Sequence, residues 1–327
     1  MRVTFTFNLR KSEDDEKQAE RFSQEYVDRV VSALEELGHH VSPVEVSGSP
    51  GEVVDKLIDS RPDLIFNLAE GVGGKRRESY YPAIYELLGI PYTGGTPGLL
   101  HVGLDKRLSG KLLAVRGIKV PQGALITLEE PDIPDDMEYP VFIKPNYEGS
   151  SMGITQESVA ETPEEAKKVV KKLLNEYSEG VIVEQYIEGR ELTVPMLQAF
   201  SGYLLEIVEY KFEGKEHGIF DYDTKASGGK DESLNTICPP ELTPEERRDV
   251  LTLADRAFNV MKIPDFARAD IRLTKDGTPY LIEVNPLPGL RPVSPLITGA
   301  EAKGLSYNDV IDLIIKSAKE RYGIKVD

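Results

Sequence analysis

The chain has 327 residues, with 39 Lys and Arg against 56 Asp and Glu, a formal net charge of −17. This acidity argues against a nucleic-acid binder, because neutralising a phosphate backbone takes clustered Lys and Arg. A single cysteine, Cys238, excludes an intrachain disulfide framework and a cysteine-built metal cage, and it fits a reducing compartment.

At roughly 150 residues per domain the length suggests two units, or three small ones. Met1 to Phe7 alternates, which predicts a first strand rather than a signal peptide's apolar block. No stretch approaches the roughly 18 uncharged apolar residues of a membrane span, so no membrane partner and a cytoplasmic location are expected. Ala19, Phe22, Tyr26, Val30, Ala33 and Leu37 follow helical spacing, with Gly38 as the stop. A strand near Val41 to Val46, a helix near Glu52 to Ser60, the apolar run Leu64 to Phe66 and a helix over Tyr80 to Leu88 come next. Strands separated by helices predict a doubly wound parallel α/β unit over residues 1–100.

A central unit, 101–188, opens with a helix over Leu104 to Arg116 that Gly117 stops. Tyr139 to Pro145 reads as a strand, and the loop Asn146 to Gly153 follows it directly. Thr162-Pro163-Glu164-Glu165 is a capping box that starts a helix to about Tyr177, and Val181 to Glu184 is the next strand. The last unit, 189–327, holds strand signals at Leu192 to Val194 and Tyr203 to Val208. Lys211 to Ser233 is polar and aperiodic and is expected to be a mobile loop. Thr243 opens a helix to about Met261. Phe266 to Leu273 and Pro279 to Val284 read as strands turning at Asp276-Gly277, and Tyr307 to Tyr322 as the closing helix.

The most informative segment is Arg268-Ala269-Asp270 with Glu283-Val284-Asn285. Residues two apart on a strand share a face, so if the two strands pair, all four polar side chains converge. Two carboxylates and an amide oxygen are hard oxygen ligands, the set that holds Mg²⁺ against nucleotide phosphates. The bland alternative is a solvated hairpin face, but Glu283 and Asn285 interrupt an otherwise apolar strand. The second candidate is Lys144 at a strand end, followed by Gly149, Ser150, Ser151 and Gly153. A lysine there suits phosphate, and the glycines let backbone N–H groups approach closely. The loop is not a P-loop, since G-x-x-x-x-G-K-[ST] is absent. The third is Glu184 to Glu191, either a purine-facing strand end or an ordinary linker.

These motifs, in this order, resemble the ATP-grasp superfamily: Lys144-Pro145 with Glu148 to Gly153, Glu184 with Glu191, Arg268-x-Asp270, and Glu283-x-Asn285-Pro286-Leu287-Pro288-Gly289. Gly89 to Gly94 followed by Leu104-Asp105-Lys106 narrows the resemblance to the D-alanine–D-alanine ligase-like branch, over essentially the whole chain. It implies an α/β, three-domain ATP-grasp architecture, with the parallel N-terminal sheet followed by central and C-terminal α+β units that hold ATP between them. By the same resemblance Lys106, Lys144, Ser151 and Lys225 would contact the nucleotide, Glu184 and Ile187 would face adenine, and Glu191 the ribose. Asp270, Glu283 and Asn285 would bind two Mg²⁺, with Mn²⁺ as a substitute. Arg268, Ser150 and the N–H of Gly289 would act on the reacting carbonyl, and Ser294 would meet the acceptor carboxylate. The implied reaction is ATP-dependent: a substrate carboxylate takes the γ-phosphate to give an acyl phosphate, an amine attacks it, and ADP and phosphate leave. The resemblance also allows a homodimer.

The departures concern the substrate. The family's D-alanine enzymes carry a Gly-Gly-x-Ser-x-Glu loop after the first strand, whose glutamate holds the first amino group; here Phe7 to Glu13 reads FNLRKSE. Glu70 stands where those enzymes have a histidine, and Lys225 is followed by Ala226 to Gly229 rather than an aromatic residue. The ATP machinery is therefore expected intact and the amino-acid pocket altered, with small amino-acid or carboxylate substrates other than D-alanine. Arg10, Lys11, Lys75, Arg76 and Arg77 either rim that pocket and favour an anionic donor or are solvated surface charges. Three other readings stand beside this one: a true D-alanine–D-alanine ligase, an ATP-binding regulator without ligase activity, and an ATP-dependent carboxylase that uses bicarbonate.

Overall fold

Strand β1 (Arg2–Phe7) is buried along nearly its whole length because it is the middle strand of a parallel sheet, between β2 (His40–Glu45) and β3 (Leu64–Asn67). In the computed structural model all residues are described except 13–17, 202, 215–216, 223–233 and 326–327. Helices α1 (Gln24–Glu36) and α2 (Pro50–Ser60) make the crossovers, each capped by a serine, Ser23 and Ser49. Helix α1 starts later than its apolar spacing suggests. Ser23 caps it, and Ala19 and Phe22 belong to the segment before it, where Phe22 bridges to Leu9.

Helix α3 (Arg77–Leu88) leads to the Gly94 turn. What reads as one helix near Leu104 is two, α4 (Pro97–Leu104) and α5 (Lys106–Val115). Asp105 breaks them with an extended backbone and caps α5 through the N–H of Leu108. An antiparallel sheet follows in the order β4 (Gly123–Ile126), β7 (Val181–Gln185), β5 (Val141–Pro145), β6 (Val159–Ala160), with α6 (Pro163–Glu176) packed on it.

The third sheet is antiparallel in the order β10 (Leu234–Ile237), β9 (Val208–Phe212), β8 (Arg190–Leu197), β11 (Phe266–Leu273), β12 (Pro279–Asn285). Strand β9 takes in Lys211 and Phe212, which the sequence assigns to a loop, because they pair with Asn235 and Leu234. Helix α7 (Pro244–Met261) covers one face of this sheet, packing Val250, Ala254 and Phe258 on Ala267, Ala269 and Ile271. The opposite face of β11, carrying Arg268 and Asp270, is left for the cleft.

The closing helices α8 (Pro295–Glu301) and α9 (Tyr307–Tyr322) return to the first sheet. Val310, Ile314 and Ala318 share one continuous core with Phe5, Val30, Leu34 and Phe66. Among the described residues no helix is long and apolar enough to cross a membrane.

Candidate active site

Pairing of β11 with β12 puts Arg268 opposite Asn285 and Asp270 opposite Glu283. The convergence expected from the hairpin is therefore present, with one addition. The register shifts between Asp270 and Ile271, so β12 carries an extra residue, and Ile282 and Glu283 both reach the cleft. On the other side of β11, Thr193 of β8 lies opposite Asp270 and donates its hydroxyl to Oδ1 at 2.8 Å. Each carboxylate has a cation beside it: Arg268 Nε is 3.3 Å from Asp270, and Lys106 Nζ is 3.4 Å from Glu283. Burial works against the Arg268 charge, but Asp270 and Glu283 outweigh it and raise the pKa of the guanidinium. Asn285 Oδ1 also accepts the N–H of Leu287, which fixes the turn into the Pro286–Gly289 segment. Two carboxylates and an amide oxygen on facing strands suit a hard divalent cation, so the donor set fits the metal that the sequence implies.

Lys144 ends β5 with its side chain 3% exposed, its ammonium 2.7 Å from Glu184 and above the ring of Phe142. Lys106, at the start of α5, donates to the carbonyl of Glu148 at 2.6 Å. Asp105 ties that helix to the loop by accepting from Asn146 Nδ2 and the Tyr147 hydroxyl. In the loop the left-handed backbones belong to Ser150 and Ser151, at φ 51° and 57°, as well as to Gly153. Such backbone costs energy for serine and persists only where surroundings hold it. Gly149 has a different reason to be glycine: a Cβ there would lie 2.1 Å from Glu20 Oε1.

Lys106, Lys144, Ser150, Ser151, Asp270 and Glu283 line a cavity of about 150 Å³ together with Glu184, Ile187 and Glu191, and Asn285 lines the one beside it. Ile187 is buried at 5% exposure, and Glu191 pairs with Arg272 at 2.8 Å. The cavity continues past Lys106, Ser150, Arg268 and Glu283 into a second of about 250 Å³. Gly289, Arg291 and Ser294 line one wall of the second cavity, and Ser294 also caps α8 through the N–H of Ile297. Thus the residues expected to meet nucleotide, metal, reacting carbonyl and acceptor fall along one cleft, except Lys225, which with Ala226 to Gly229 lies outside the described residues.

On the opposite wall of the second cavity the sequence singles out Glu70 but neither Glu20 nor Glu78. That wall holds Glu20, Glu70 and Glu78, whose carboxylate oxygens lie within 4.8 Å of one another. Burial pushes Glu78 up to about 8, and it lifts Glu70 well above the carboxylate range, with the charges of Glu20 and Glu78 adding to the effect. Glu20 lies beyond the Phe7 to Glu13 stretch, three residues before the Ser23 cap of α1. A basic rim does not form. Arg77 turns inward and binds both oxygens of Glu20, Arg10 donates to the carbonyls of Gln18 and Ala19, and Lys11, Lys75 and Arg76 are exposed away from the cavity.

Comparison with known proteins agrees with this architecture. The family model described as D-ala D-ala ligase C-terminus matches residues 126–316. A D-alanine–D-alanine ligase of Thermotoga maritima is 32% identical over 300 residues, covering 91% of this chain and 93% of its own. An uncharacterised Sinorhizobium fredii protein, y4sG, is 30% identical over 307 residues, covering 90% and 88%. The structure of a Bacillus anthracis D-alanine–D-alanine ligase complexed with ATP superposes with a TM-score of 0.80 at 23% identity, over 99% of both chains. That of the Enterococcus faecalis VanG D-Ala:D-Ser ligase gives 0.73 at 22% identity, over 97% of this chain and 98% of that one. The chain belongs to the D-alanine–D-alanine ligase family, ATP-dependent enzymes of ATP-grasp architecture that form a peptide bond.

Proposed function

We propose that the enzyme joins an ammonium-bearing carboxylate, most simply an amino acid, to a second amino acid through an acyl phosphate. The observation that carries this reading is the single cleft in which Asp270, Glu283, Asn285, Lys106 and Lys144 adjoin an acidic second cavity. In this reading ATP occupies the first cavity. Lys144, Lys106, Ser151 and Lys225 meet its phosphates or base, Glu184 and Ile187 its adenine, and Glu191 its ribose. Asp270, Glu283 and Asn285 hold two Mg²⁺, or Mn²⁺, which when bound neutralise the charge that builds on the phosphates.

The donor lies in the second cavity with its ammonium toward Glu20 and Glu70, which orients its carboxylate toward the nucleotide. Carboxyl oxygens at that wall accept hydrogen bonds from an ammonium, whose charge favours the ionised forms of Glu70 and Glu78 that burial opposes. Arg268, Ser150 and the N–H of Gly289 face the carbonyl oxygen as it becomes an oxyanion, where fixed donors contribute most. Ser294 meets the acceptor's carboxylate. A D-alanine donor and acceptor form the second reading, favoured by the names of the curated relatives. Replacing Glu283 with Gln tests the assignment: ADP release is expected to fall by about 10²–10³-fold with the thermal midpoint unchanged. Turnover retained in that variant would remove the metal-binding role.

A further inference from the structure

We propose that Arg77 is a positioning residue that couples the amino-acid cavity to the nucleotide loop, holding Glu20 and the 147–151 segment as one unit. The inference rests on reading the first cavity as the ATP site. Arg77 is 4% exposed at the start of α3. Its Nε and Nη2 donate to the two oxygens of Glu20 at 2.8–3.0 Å, and its Nη1 donates to the carbonyl of Tyr147 at 2.8 Å. Nη2 also lies 3.5 Å from the carboxylate of Glu148. One planar guanidinium thereby joins three segments that are distant in sequence, a geometry that a lysine ammonium cannot reproduce.

The contacts continue on both sides of this group. Glu20 lies so close to the loop that a Cβ on Gly149 would force its carboxylate aside. From the loop, the carbonyl of Glu148 accepts from Lys106, which reaches Glu283 at 3.4 Å. The two left-handed serines of the loop need such external support. Without Arg77, Glu20 would lose the cation that binds both its oxygens while still crowded against Glu70 and Glu78, and its charged form would be driven from the cavity. Holding the loop and keeping Glu20 in place are thus the same interaction, and occupancy of one cavity favours occupancy of the other.

The test is a double-mutant cycle in MgADP affinity, measured by titration calorimetry alongside thermal midpoints, for Arg77→Met, Arg77→Lys, Glu20→Gln and Glu20→Gln/Arg77→Met. Neither side chain lines the nucleotide cavity. Even so, Arg77→Met and Glu20→Gln are each expected to weaken MgADP by about fivefold or more, with the double variant no weaker than Arg77→Met. Arg77→Lys is expected to keep the thermal midpoint but not the affinity, which a merely structural role would not produce. Affinities within about twofold of wild type in the single variants, or additive losses in the double, would overturn the proposal. Should Arg77→Met not fold, Arg77→Lys and Glu20→Gln decide on the same thresholds. Failure of the wild-type protein to bind MgADP would instead overturn the ATP reading, and this inference with it.

Discussion

Glu78 shows what burial does to a single side chain in the second cavity. Burial raises its pKa most, Arg77 and Lys106 pull it down, Glu20 and Glu283 push it up, and the result is about 8. The folded protein therefore holds a proton there that the unfolded chain gives up above its ordinary value of 4.5. The associated stability is complete below that value and is lost as the pH rises through about 8. Glu78→Gln, which has no proton to lose, is expected to melt higher than wild type near about pH 9, with the gap closing toward about pH 5. A difference independent of pH would contradict the assignment. At this scale the sequence was legible for ligand types but not for partners. Arg77 reads as one of several basic residues in its segment, and only the fold reveals that it faces Glu20 across 57 positions.

Strand pairing decides the site at the scale of elements. The alternation of Arg268 and Asp270 with Ala267, Ala269 and Ile271 can be read directly, and so can the Asp276-Gly277 turn that makes β11 and β12 partners. The bulge opposite Asp270 could not be read, because it depends on which residue of β12 its partner β11 leaves unpaired. Nor could the break at Asp105, since the apolar spacing of Leu100, Leu104, Leu108 and Leu112 runs through it; the break follows from Asp105 binding Asn146 and Tyr147 on another element. The junction of β8 and β11 is equally tight. A Cβ on Gly189 would lie 2.2 Å from the carbonyl oxygen of Leu273, with further backbone atoms at 2.7 and 3.0 Å. Because backbone cannot move aside as a side chain can, Gly189→Ala is expected to cost about 1–3 kcal/mol in denaturant unfolding. An unchanged midpoint would show that the strands can separate there without loss.

Over the whole molecule, the first sheet is closed by helices from the far end of the chain, a relation that local periodicity cannot contain. Asp265, buried before β11, makes the connection. It accepts from the N–H of Gly94 at 2.7 Å, from the Ser317 hydroxyl at 2.8 Å and from Arg321 at 2.7 Å. Asp265→Asn keeps the shape and the left-handed backbone but removes the charge, and it is expected to cost about 3 kcal/mol. Because Phe5 and Ile314 belong to one core, that loss should appear as a single unfolding transition moved to lower temperature. Two separated transitions would contradict a shared core.

This cleft is proposed to drive ligation of an ammonium-bearing carboxylate. The most direct measurement is Mg²⁺-dependent ADP release with D- and L-amino acids supplied singly and in pairs, with product masses recorded and bicarbonate as a control. Release is expected with at least one amino-acid pair, with a product at the summed mass less water, and none with bicarbonate alone. ADP release that needs bicarbonate, or none with any pair while MgATP binds, would contradict the proposed ligation.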